Sequence, residues 1–348
     1  METDWYSLTK EELSALMEEL GEKPFRGKQI FEWLHARKVC SFAEMTNLSA
    51  ALRARLEEFC PLRPVEIVLA QHSKDKALGR TSKYLMRLPD GKCVETVLLE
   101  YSYGFSVCVS SQAGCRMGCK FCASTLNGLD RNLTPGEILG QIYAVERAES
   151  VNVSHVVVMG SGEPFDNYEN LLRFLELLHD PAGKNLSYRN VTVSTCGLPQ
   201  KIRSFALSGL PVTLAVSLHA PNGEIRKSIM NVARAVSWDE LFDACRFYTE
   251  TTGRRLTFEY ALMEGINCAP EHARELARSL RGLLCHVNLI PVNPVPECGM
   301  TRPSRERVRE FMNILEENSV PVTLRREMAS DIDGACGQLR AKHRENEG

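Results

Sequence analysis

The sequence lacks the features that would place a protein in a membrane or outside the cell. It has no run of about twenty apolar residues, the length that a membrane-spanning helix needs. Its first residues, Met1-Glu2-Thr3-Asp4, are acidic, unlike the positively charged start of a secretory signal peptide. Its 13 cysteines, an odd number scattered over 348 residues, do not resemble a secreted disulfide framework. We therefore expect a cytosolic protein with no membrane partner, whose thiols serve metal binding or redox chemistry.

A strong net charge is also lacking. The formal net charge is −2, so the overall charge neither favours nor excludes a polyanionic partner. Hydrophobic residues make up 44% of the chain, enough for a sizeable core in one large domain or two. Only local clusters of residues can therefore indicate what the protein binds.

Three cysteines lie close together in a glycine-punctuated stretch, Gly114 to Cys122. Cys115, Cys119 and Cys122 have the spacing Cys-x3-Cys-x2-Cys. Four thiolates would complete a zinc site or an iron–sulfur cube, whereas three leave one iron of a four-iron cluster open to an outside ligand. A structural zinc site with a distant fourth ligand, or thiols that merely pack, are the alternatives. A zinc site usually shows a second matching pair, which the other cysteines do not provide.

The first part of the chain is helical in pattern. Apolar residues recur at helical spacing from Thr9 to about Phe59, which predicts a helical accessory domain over residues 1–62. Between its helices, the stretch Lys23 to Gln29 and the pair Arg37-Lys38 combine positive charge with an aromatic residue. Such a surface could bind a phosphate backbone and a stacked base, although a solvated basic face is the commoner explanation.

The remainder of the chain predicts an α/β fold. Residues 63–104 alternate in the manner of strands around a Pro89-Asp90-Gly91 turn, which indicates a small antiparallel β segment. Over residues 105–325, apolar runs alternate with amphipathic helical segments, and Thr134 to Glu137 has the pattern of a helix start. Right-handed β-α-β units, about six of them, predict a partial (β/α)6 TIM-like barrel with its active site at the carboxyl ends of the strands. The predicted strands are 105–109, 155–159, 191–194, 212–217, 256–260, 286–290 and 321–324.

Several residues that could bind a ligand follow these strands. In Gly160-Ser161-Gly162-Glu163-Pro164, glycines allow close backbone approach, and Glu163 can accept from an ammonium group or a ribose hydroxyl. The other residues at strand ends are Ser194, Ser217, Leu218, His219 and Asn293. Each has a simpler explanation as a cap or turn residue, and His219 could be a buried, hydrogen-bonded histidine. Their recurrence at the same end of successive strands favours a ligand site.

Residues 326–348 form a C-terminal loop and basic tail. Cys336 lies between small residues in a polar, glycine-flanked stretch, so it is a candidate nucleophile, although an inert exposed thiol fits equally well. Glu95, on a predicted strand, has nothing local that distinguishes it from a solvated carboxylate. The basic residues of this half could line a cleft that attracts polyanions: Arg302, Arg305, Arg307, Arg309, Arg325, Arg326 and the tail Arg340-Ala341-Lys342-His343-Arg344.

The three-cysteine stretch, including Phe121 before the last cysteine, resembles the cluster motif of radical S-adenosylmethionine (radical SAM) enzymes. The resemblance implies one 4Fe-4S cluster on Cys115, Cys119 and Cys122. SAM would chelate the open iron through its amino and carboxylate groups. An electron from the cluster would then cleave SAM to a 5′-deoxyadenosyl radical.

A longer set of motifs resembles the RlmN-type dual-specificity RNA methyltransferases and spans nearly the whole chain. The matching stretches are residues 21–26, 29–34, 94–97, 108–115, 162–164, 217–220, 291–294 and 331–339. The resemblance implies methylation of carbon 2 of an adenine in the peptidyl-transferase centre of 23S rRNA, and of the adenosine next to the anticodon in certain tRNAs. That carbon lies between two ring nitrogens and is too electron-poor to attack a sulfonium methyl, which explains why a methyltransferase would need a radical route.

The resemblance also implies residue roles. Cys336 would accept a methyl group from one SAM, and the radical from a second SAM would remove a hydrogen from that S-methyl group so that the methylene radical adds to adenine. Glu95 would remove the ring proton, and Cys108 would attack the Cys336 sulfur to release product through a transient disulfide. Gly162, Glu163, Ser194, Ser217, Leu218, His219 and Asn293 match the SAM-contacting positions. A flavodoxin or ferredoxin would donate the electron.

Some positions depart from the family pattern, and two rival functions remain. Ser161 replaces an apolar residue, Gly334 replaces an alanine, and residues 230–233 differ from the usual Met-Pro-Ile-Asn. The related Cfr-type enzymes share the scaffold but methylate carbon 8 of the same rRNA adenine. Pro164, commonly alanine in Cfr, and the N-terminal module favour carbon 2. An iron–sulfur electron-transfer or binding protein is the alternative of another class, but it leaves Cys336 and Glu95 without a function.

Overall fold

The computed structural model of the chain describes residues 3–74, 79–293, 296–325 and residue 332. Within these ranges, no helix has both the length and the apolar character needed to cross a bilayer.

Three helices form the N-terminal part: α1 (Lys10–Glu19), α2 (Phe25–His35) and α3 (Ala50–Phe59). The start of α1 is fixed by a capping box, in which the Thr9 hydroxyl accepts from the Glu12 N–H and the Glu12 carboxylate accepts from the Thr9 N–H. Gly27 lets α2 approach α1 closely, because a β-carbon there would lie 2.4 Å from the backbone nitrogen of Ser14. The helices therefore pack backbone against backbone.

The next strands form an antiparallel meander: β1 (Glu66–His72), β2 (Thr81–Arg87), β3 (Cys93–Tyr101) and β4 (Gly104–Val109). A separate ribbon, β5 (Gln112–Gly114) with β6 (Leu129–Asn132), flanks the three-cysteine stretch. Because β3 pairs with β4, the antiparallel strands extend the sheet of the barrel.

The barrel continues as alternating helices and strands. These elements are α4 (Pro135–Glu149), β7 (Val153–Val158), α5 (Tyr168–His179), β8 (Val191–Thr195), α6 (Pro199–Leu207), β9 (Thr213–Ser217), α7 (Gly223–Ile229), α8 (Trp238–Thr252), β10 (Leu256–Leu262), α9 (Pro270–Ser279), β11 (Cys285–Pro291), α10 (Arg305–Glu317) and β12 (Val322–Leu324). Strands β4 and β7 to β12 are parallel neighbours, and the described part of the main sheet has the order β1-β2-β3-β4-β7-β8-β9-β10-β11-β12. This confirms the predicted α/β class and the partial parallel barrel with a helical N-terminal region.

Helix α4 begins as its sequence predicts. Thr134 and Glu137 form a capping box around Pro135, and Thr134 also donates to the Asp4 carboxylate at 2.6 Å. Inside the helix, the Gln141 side chain accepts from the Ser110 N–H and donates to the Ser110 carbonyl. Helix α4 is thus attached both to the N-terminal residues and to the end of β4.

Alternation along the parallel strands separates an apolar face from a polar one. Val216 of β9 and Phe258 and Tyr260 of β10 are fully buried in the core under the helices. Their neighbours Ser217 and Glu259 face the other way and line a cavity inside the barrel. The interior of the barrel therefore carries polar side chains toward the carboxyl ends of the strands.

Candidate active site

A cavity of about 350 Å³ lies inside the barrel and collects most of the residues predicted from the sequence. Its lining includes Cys108, Cys115, Cys119, Cys122, Gly162, Glu163, Ser194, Ser217, His219 and Asn293. Leu218 is fully buried beside it, and Glu95 is buried within β3. Cys336 lies outside the described residues. The carboxyl ends of the parallel strands thus bring together positions that are far apart in the chain.

The three-cysteine stretch, called here the cluster loop (residues 115–122), is held by backbone contacts. Gly114 has a φ of +79°, and a β-carbon there would lie 2.1 Å from the Gly128 carbonyl oxygen. That oxygen accepts from the Cys115 N–H at 2.8 Å. The Thr125 hydroxyl donates to the carbonyls of Cys119 and Cys122. The loop is therefore fixed by hydrogen bonds to its backbone.

The stretch that departs from the family pattern, residues 230–233, packs directly on the cluster loop. Met230 forms an antiparallel bridge with Cys119, and the Lys120 N–H donates to the Ile229 carbonyl at 2.9 Å. Gly118, with a φ of +66°, would place a β-carbon 2.4 Å from the Asn231 side-chain nitrogen. Asn231 therefore occupies the space beside the loop that a larger residue at 118 would need.

The three thiols fit an iron–sulfur cluster by their chemistry. Burial raises the pKa of Cys115 to about 12 and also raises the pKa of Cys119, so thiolates need a compensating positive charge here. Iron ions supply that charge, and each thiolate of a four-iron cluster binds a different iron. Among the described residues, no three Cys, His, Asp or Glu side chains are grouped as the ligands of one metal ion. Three thiolates on one loop leave a fourth iron for an outside ligand.

The glycine-rich loop after β7 is locked against the residues that precede the cluster loop. Gly162 has a φ of +103°, and a β-carbon there would lie 2.5 Å from the side chain of Gln112. The Gln112 side chain accepts from the Glu163 N–H, and the Ser110 hydroxyl accepts from the Ser161 N–H. Ser161 is thus held through its backbone, and its replacement of an apolar residue leaves these contacts in place.

Both oxygens of the Glu163 carboxylate already accept backbone hydrogen bonds. Oε1 accepts from the Phe165 N–H at 3.0 Å, and Oε2 accepts from the Cys196 N–H at 2.6 Å. Burial raises the Glu163 pKa, while these bonds act in the opposite direction. Glu163 therefore ties the loop after β7 to the end of β8 while lining the cavity.

His219 has a defined tautomer and a strained backbone. Its Nδ1 accepts from the Ala261 N–H at 2.9 Å, so the neutral ring carries its proton on Nε2. Burial, followed by the charge of Arg226, lowers the His219 pKa to about 3, which keeps the ring neutral. Its φ of +54° is unusual for a residue with a side chain, and the ring packs edge-on against Phe121 of the cluster loop. His219 is thus both a buried histidine and part of the cavity wall.

Two serines and a cysteine line the same wall from different strands. The hydroxyl oxygens of Ser194 and Ser217 lie 3.5 Å apart on β8 and β9. Cys108 faces the cavity from β4, which places a further thiol in the space that holds the three cysteines of the cluster loop. Side-chain hydroxyls and a fourth thiol therefore flank the cluster loop.

Glu95 shares the cavity-facing side of β3. Val97 and Leu99, two and four residues further along β3, line the cavity, and Glu95 has the same parity. The Ser110 hydroxyl donates to the Glu95 carbonyl oxygen at 2.7 Å, which fixes this end of β3 against β4. Glu95 thus lies inside β3, with its side chain directed to the same side of the sheet as Cys108.

Two residues of this site were not predicted from the sequence. Lys83, almost fully buried on β2, lies in one row with Val97 and Cys108 and lines the cavity. Glu259 lies opposite Ser217 and Asn288 in the sheet and accepts from the Asn288 amide at 2.9 Å. The period of two along each strand was the signal that could have found both residues.

The predicted basic residues lie in several different surroundings. Arg302 and Arg325 line the cavity, whereas Arg326 and the basic tail lie outside the described residues. In the N-terminal helices, Arg26 stacks over the half-exposed Phe25. Lys38, however, forms an ion pair with the buried Glu146 of α4 at 2.6 Å, so its charge is compensated within the protein.

Two family models match the chain. Residues 3–62 match the ribosomal RNA large subunit methyltransferase N-terminal domain, and residues 109–280 match the radical SAM superfamily. The first match covers the three N-terminal helices, and the second begins at the end of β4 and ends within the segment after α9.

Several proteins are similar to this one over almost the whole length of the chain. The "Probable dual-specificity RNA methyltransferase RlmN" of Lachnospira eligens is 53% identical over 344 residues, which cover 99% of this chain and 97% of that protein. A protein of the same description from Desulforamulus reducens is 52% identical over 97% of this chain and 95% of its own length. The crystal structure of a radical SAM methyltransferase from Sphaerobacter thermophilus superposes with a TM-score of 0.91 at 45% identity, covering 96% of this chain and 98% of that one.

Proposed function

Because this chain belongs to the RlmN family of radical SAM dual-specificity RNA methyltransferases, we propose that it methylates carbon 2 of adenine in 23S rRNA and in tRNA. The proposed reaction passes through a methylated cysteine, Cys336. The observation that supports it most is the cavity shared by Cys108 and the three cysteines of the cluster loop.

The cofactor residues follow from the same cavity. Cys115, Cys119 and Cys122 hold the 4Fe-4S cluster in this proposal. SAM is bound by Gly162, Glu163, Ser194, Ser217, Leu218, His219 and Asn293. When bound, cluster and SAM supply a 5′-deoxyadenosyl radical, and two SAM molecules are used per turnover. The buried, neutral His219 and the backbone-bonded Glu163 act as rigid walls of this site and need no change of protonation.

The remaining residues handle the methyl group and the proton. Cys336 receives a methyl group and, after the 5′-deoxyadenosyl radical takes one hydrogen from it, joins its carbon to carbon 2 of adenine. The one electron in excess on this adduct would return to the cluster. Glu95 accepts the proton that leaves carbon 2. The Cys108 thiolate then attacks the Cys336 sulfur, so that an S–S bond forms, the S–C bond breaks, and the methyl group on RNA takes up a proton. The cavity-facing sides of β3 and β4 carry Glu95 and Cys108 toward one space.

We assign the parts of the chain to separate tasks. Residues 1–62 contact RNA through a surface that includes the exposed Phe25, with Arg26 stacked over its ring. Residues 63–104 contribute the strand that carries Glu95, residues 105–325 bind cluster and SAM, and residues 326–348 carry Cys336. A flavodoxin or ferredoxin supplies the electron.

The experiment that tests the chemistry uses two cysteine variants. Cys108→Ala should trap a covalent protein–RNA adduct, because the carbon bridge forms but cannot be resolved, whereas Cys336→Ala should form none. Cys285→Ala, in β11 with its side chain in the core, is the matched control and should release methylated RNA without an adduct. Denaturing gels of reactions with labelled RNA provide the measurement. Free methylated RNA at the normal rate from Cys108→Ala would reject the proposed role of that thiol.

The regiochemistry requires a second measurement. Mass mapping of nucleosides from rRNA and tRNA treated with the enzyme should locate the new methyl group on carbon 2 of adenine. A methyl group on carbon 8 would instead assign the Cfr-type activity. An enzyme that is reduced but produces no 5′-deoxyadenosine from SAM would be an electron carrier.

A further inference from the structure

Arg226, on α7, is a buried cation behind the cavity wall that the assigned roles do not use. Its side chain is 1% exposed. Its Nη2 donates to the Cys196 carbonyl oxygen at 2.6 Å and to the Ser217 carbonyl oxygen at 3.3 Å. The Cys196 carbonyl lies just after β8, which carries Ser194, and the Ser217 carbonyl lies at the end of β9. One guanidinium therefore fixes two neighbouring strand ends that form the proposed SAM site.

In the part of the chain that the structure describes, Arg226 has no acidic partner. Among the described residues, its Nε and Nη1 have no hydrogen-bond partner, and none of the ion pairs involves it. A buried donor without a partner costs free energy, so we expect the Arg226 guanidinium to have a function that offsets this cost. The unsatisfied cation lies in a low-dielectric part of the protein, where its field is weakly screened.

The field of Arg226 reaches the residues around the cluster loop. Arg226 lies on α7, whose last residue, Ile229, accepts from the Lys120 N–H of the cluster loop at 2.9 Å. Cys196, whose carbonyl oxygen accepts from Arg226, packs in one cluster with Cys119. The charge of Arg226 also contributes to the lowered pKa of His219. Arg226 therefore lies on a helix that contacts the cluster loop, and its charge acts on the cavity-lining His219.

A cluster held by three thiolates gains one negative charge when it is reduced. A fixed positive charge nearby stabilises the reduced state more than the oxidised state, and net local charge is one of the quantities that set a cluster potential. We propose that Arg226 is a positioning residue that holds the ends of β8 and β9 and raises the reduction potential of the cluster. This inference rests on the cluster of the proposed function but not on the RNA chemistry.

The test is a redox titration of the reconstituted protein without SAM or RNA. Dithionite, a one-electron donor in this titration, reduces the cluster, and the electron paramagnetic resonance signal of the reduced cluster reports the midpoint potential. Arg226→Gln should lower the ratio of reduced to oxidised cluster about tenfold at a fixed potential, a shift of about 59 mV for a one-electron couple. Arg226→Lys keeps the charge and should remain close to the unchanged protein.

A second pair of variants keeps the arginine and changes only its compensation. Cys245 of α8 is fully buried and close enough for the Arg226 charge to act on its pKa. Cys245→Asp would introduce a carboxylate within range of the guanidinium charge and should lower the potential in the same direction. Cys245→Asn has the same shape without the charge and should leave the potential unchanged.

The controls separate charge from structure. Arg254→Gln removes another arginine with an unpartnered, buried Nε among the described residues, and it should not shift the potential. If Arg226→Gln binds no cluster, the Cys245 pair decides the question. Equal potentials for Cys245→Asp and Cys245→Asn, or an unshifted Arg226→Gln with full iron content, would overturn the proposal. Because no RNA is present, failure at carbon 2 would leave this result unaffected.

Discussion

Two glycines of the ribbon that carries the cluster loop provide a matched pair for mutation. Gly114 and Gly128 both have positive φ, +79° and +68°. A β-carbon at Gly128 would meet nothing within 4 Å, whereas one at Gly114 would lie 2.1 Å from the Gly128 carbonyl oxygen. Alanine at either position costs about 1–2 kcal/mol because of the left-handed backbone. Only Gly114→Ala adds a collision with the backbone.

The collision acts on the hydrogen bond that begins the cluster loop. To relieve it, the Gly128 oxygen must retreat by about 1 Å, because real β-carbons do not approach closer than 3.0 Å. The bond from the Cys115 N–H, now 2.8 Å, would then exceed hydrogen-bond length. A lost bond whose buried donor stays unpaired costs about 1–3 kcal/mol more. Gly114→Ala should therefore lose about 2–5 kcal/mol in total, and Gly128→Ala about 1–2 kcal/mol.

The assay compares both variants before and after anaerobic reconstitution with iron and sulfide. Urea unfolding of the cluster-free proteins measures the difference in stability, and iron per chain with the visible absorbance of the cluster measures loading. Gly128→Ala should load nearly as much iron as the unchanged protein, and Gly114→Ala clearly less. Equal iron contents for the two variants would refute the view that this backbone contact positions Cys115.

Three further predictions concern other parts of the protein. Gly27→Ala should destabilise the N-terminal helices by about 1–3 kcal/mol, because its β-carbon would overlap the backbone of Ser14. Gly21→Ala, whose β-carbon would meet nothing within 4 Å, should cost only the strain of its positive φ. Proteolysis rates of the two variants provide the comparison. Glu163→Gln should lower stability by about 1–3 kcal/mol and weaken SAM binding, because an amide NH2 would face a backbone N–H donor. An unchanged SAM affinity, measured by calorimetry, would contradict this prediction. His219 has a pKa lowered from 6.5 to about 3, so the unfolded chain binds more protons between these values, and stability present above pH 6.5 falls as the pH drops. Between pH 7 and 5 this loss should be about 2 kcal/mol larger in the unchanged protein than in His219→Asn, and equal losses in urea titrations would argue against it.

The main elements of the fold could be predicted from the sequence because their signals are local. The apolar runs of the seven parallel strands match the observed strands within about two residues, and the Thr134 capping pattern starts α4 at the expected place. The continuity of the antiparallel strands with the barrel could not be read in this way. It depends on the pairing of β3 with β4, and a pattern of alternation does not name the partner of a strand.

The candidate site was predictable where family motifs or strand ends marked it. Cys108 and Ser217 belong to such motifs, and the structure brings them to one cavity. Arg226 was not predictable, because a basic residue on a short helix usually faces water, and only its burial beneath two strand ends reveals it. The two hydrogen bonds that the Glu163 carboxylate accepts were not predictable either, because one of the donors, Cys196, is 33 residues further along the chain.

The order of strands in the main sheet has a consequence for synthesis of the protein. Neighbouring strands follow the order of the chain, so the sheet can grow steadily as residues leave the ribosome. Ala261 and Val292, which pack in one cluster with Cys119, belong to the last part of the barrel to emerge. Until they arrive, the nascent chain presents its three cysteines on an open half-barrel. Iron and sulfide can therefore reach the cluster loop before translation ends, and the later strands then complete the wall around it.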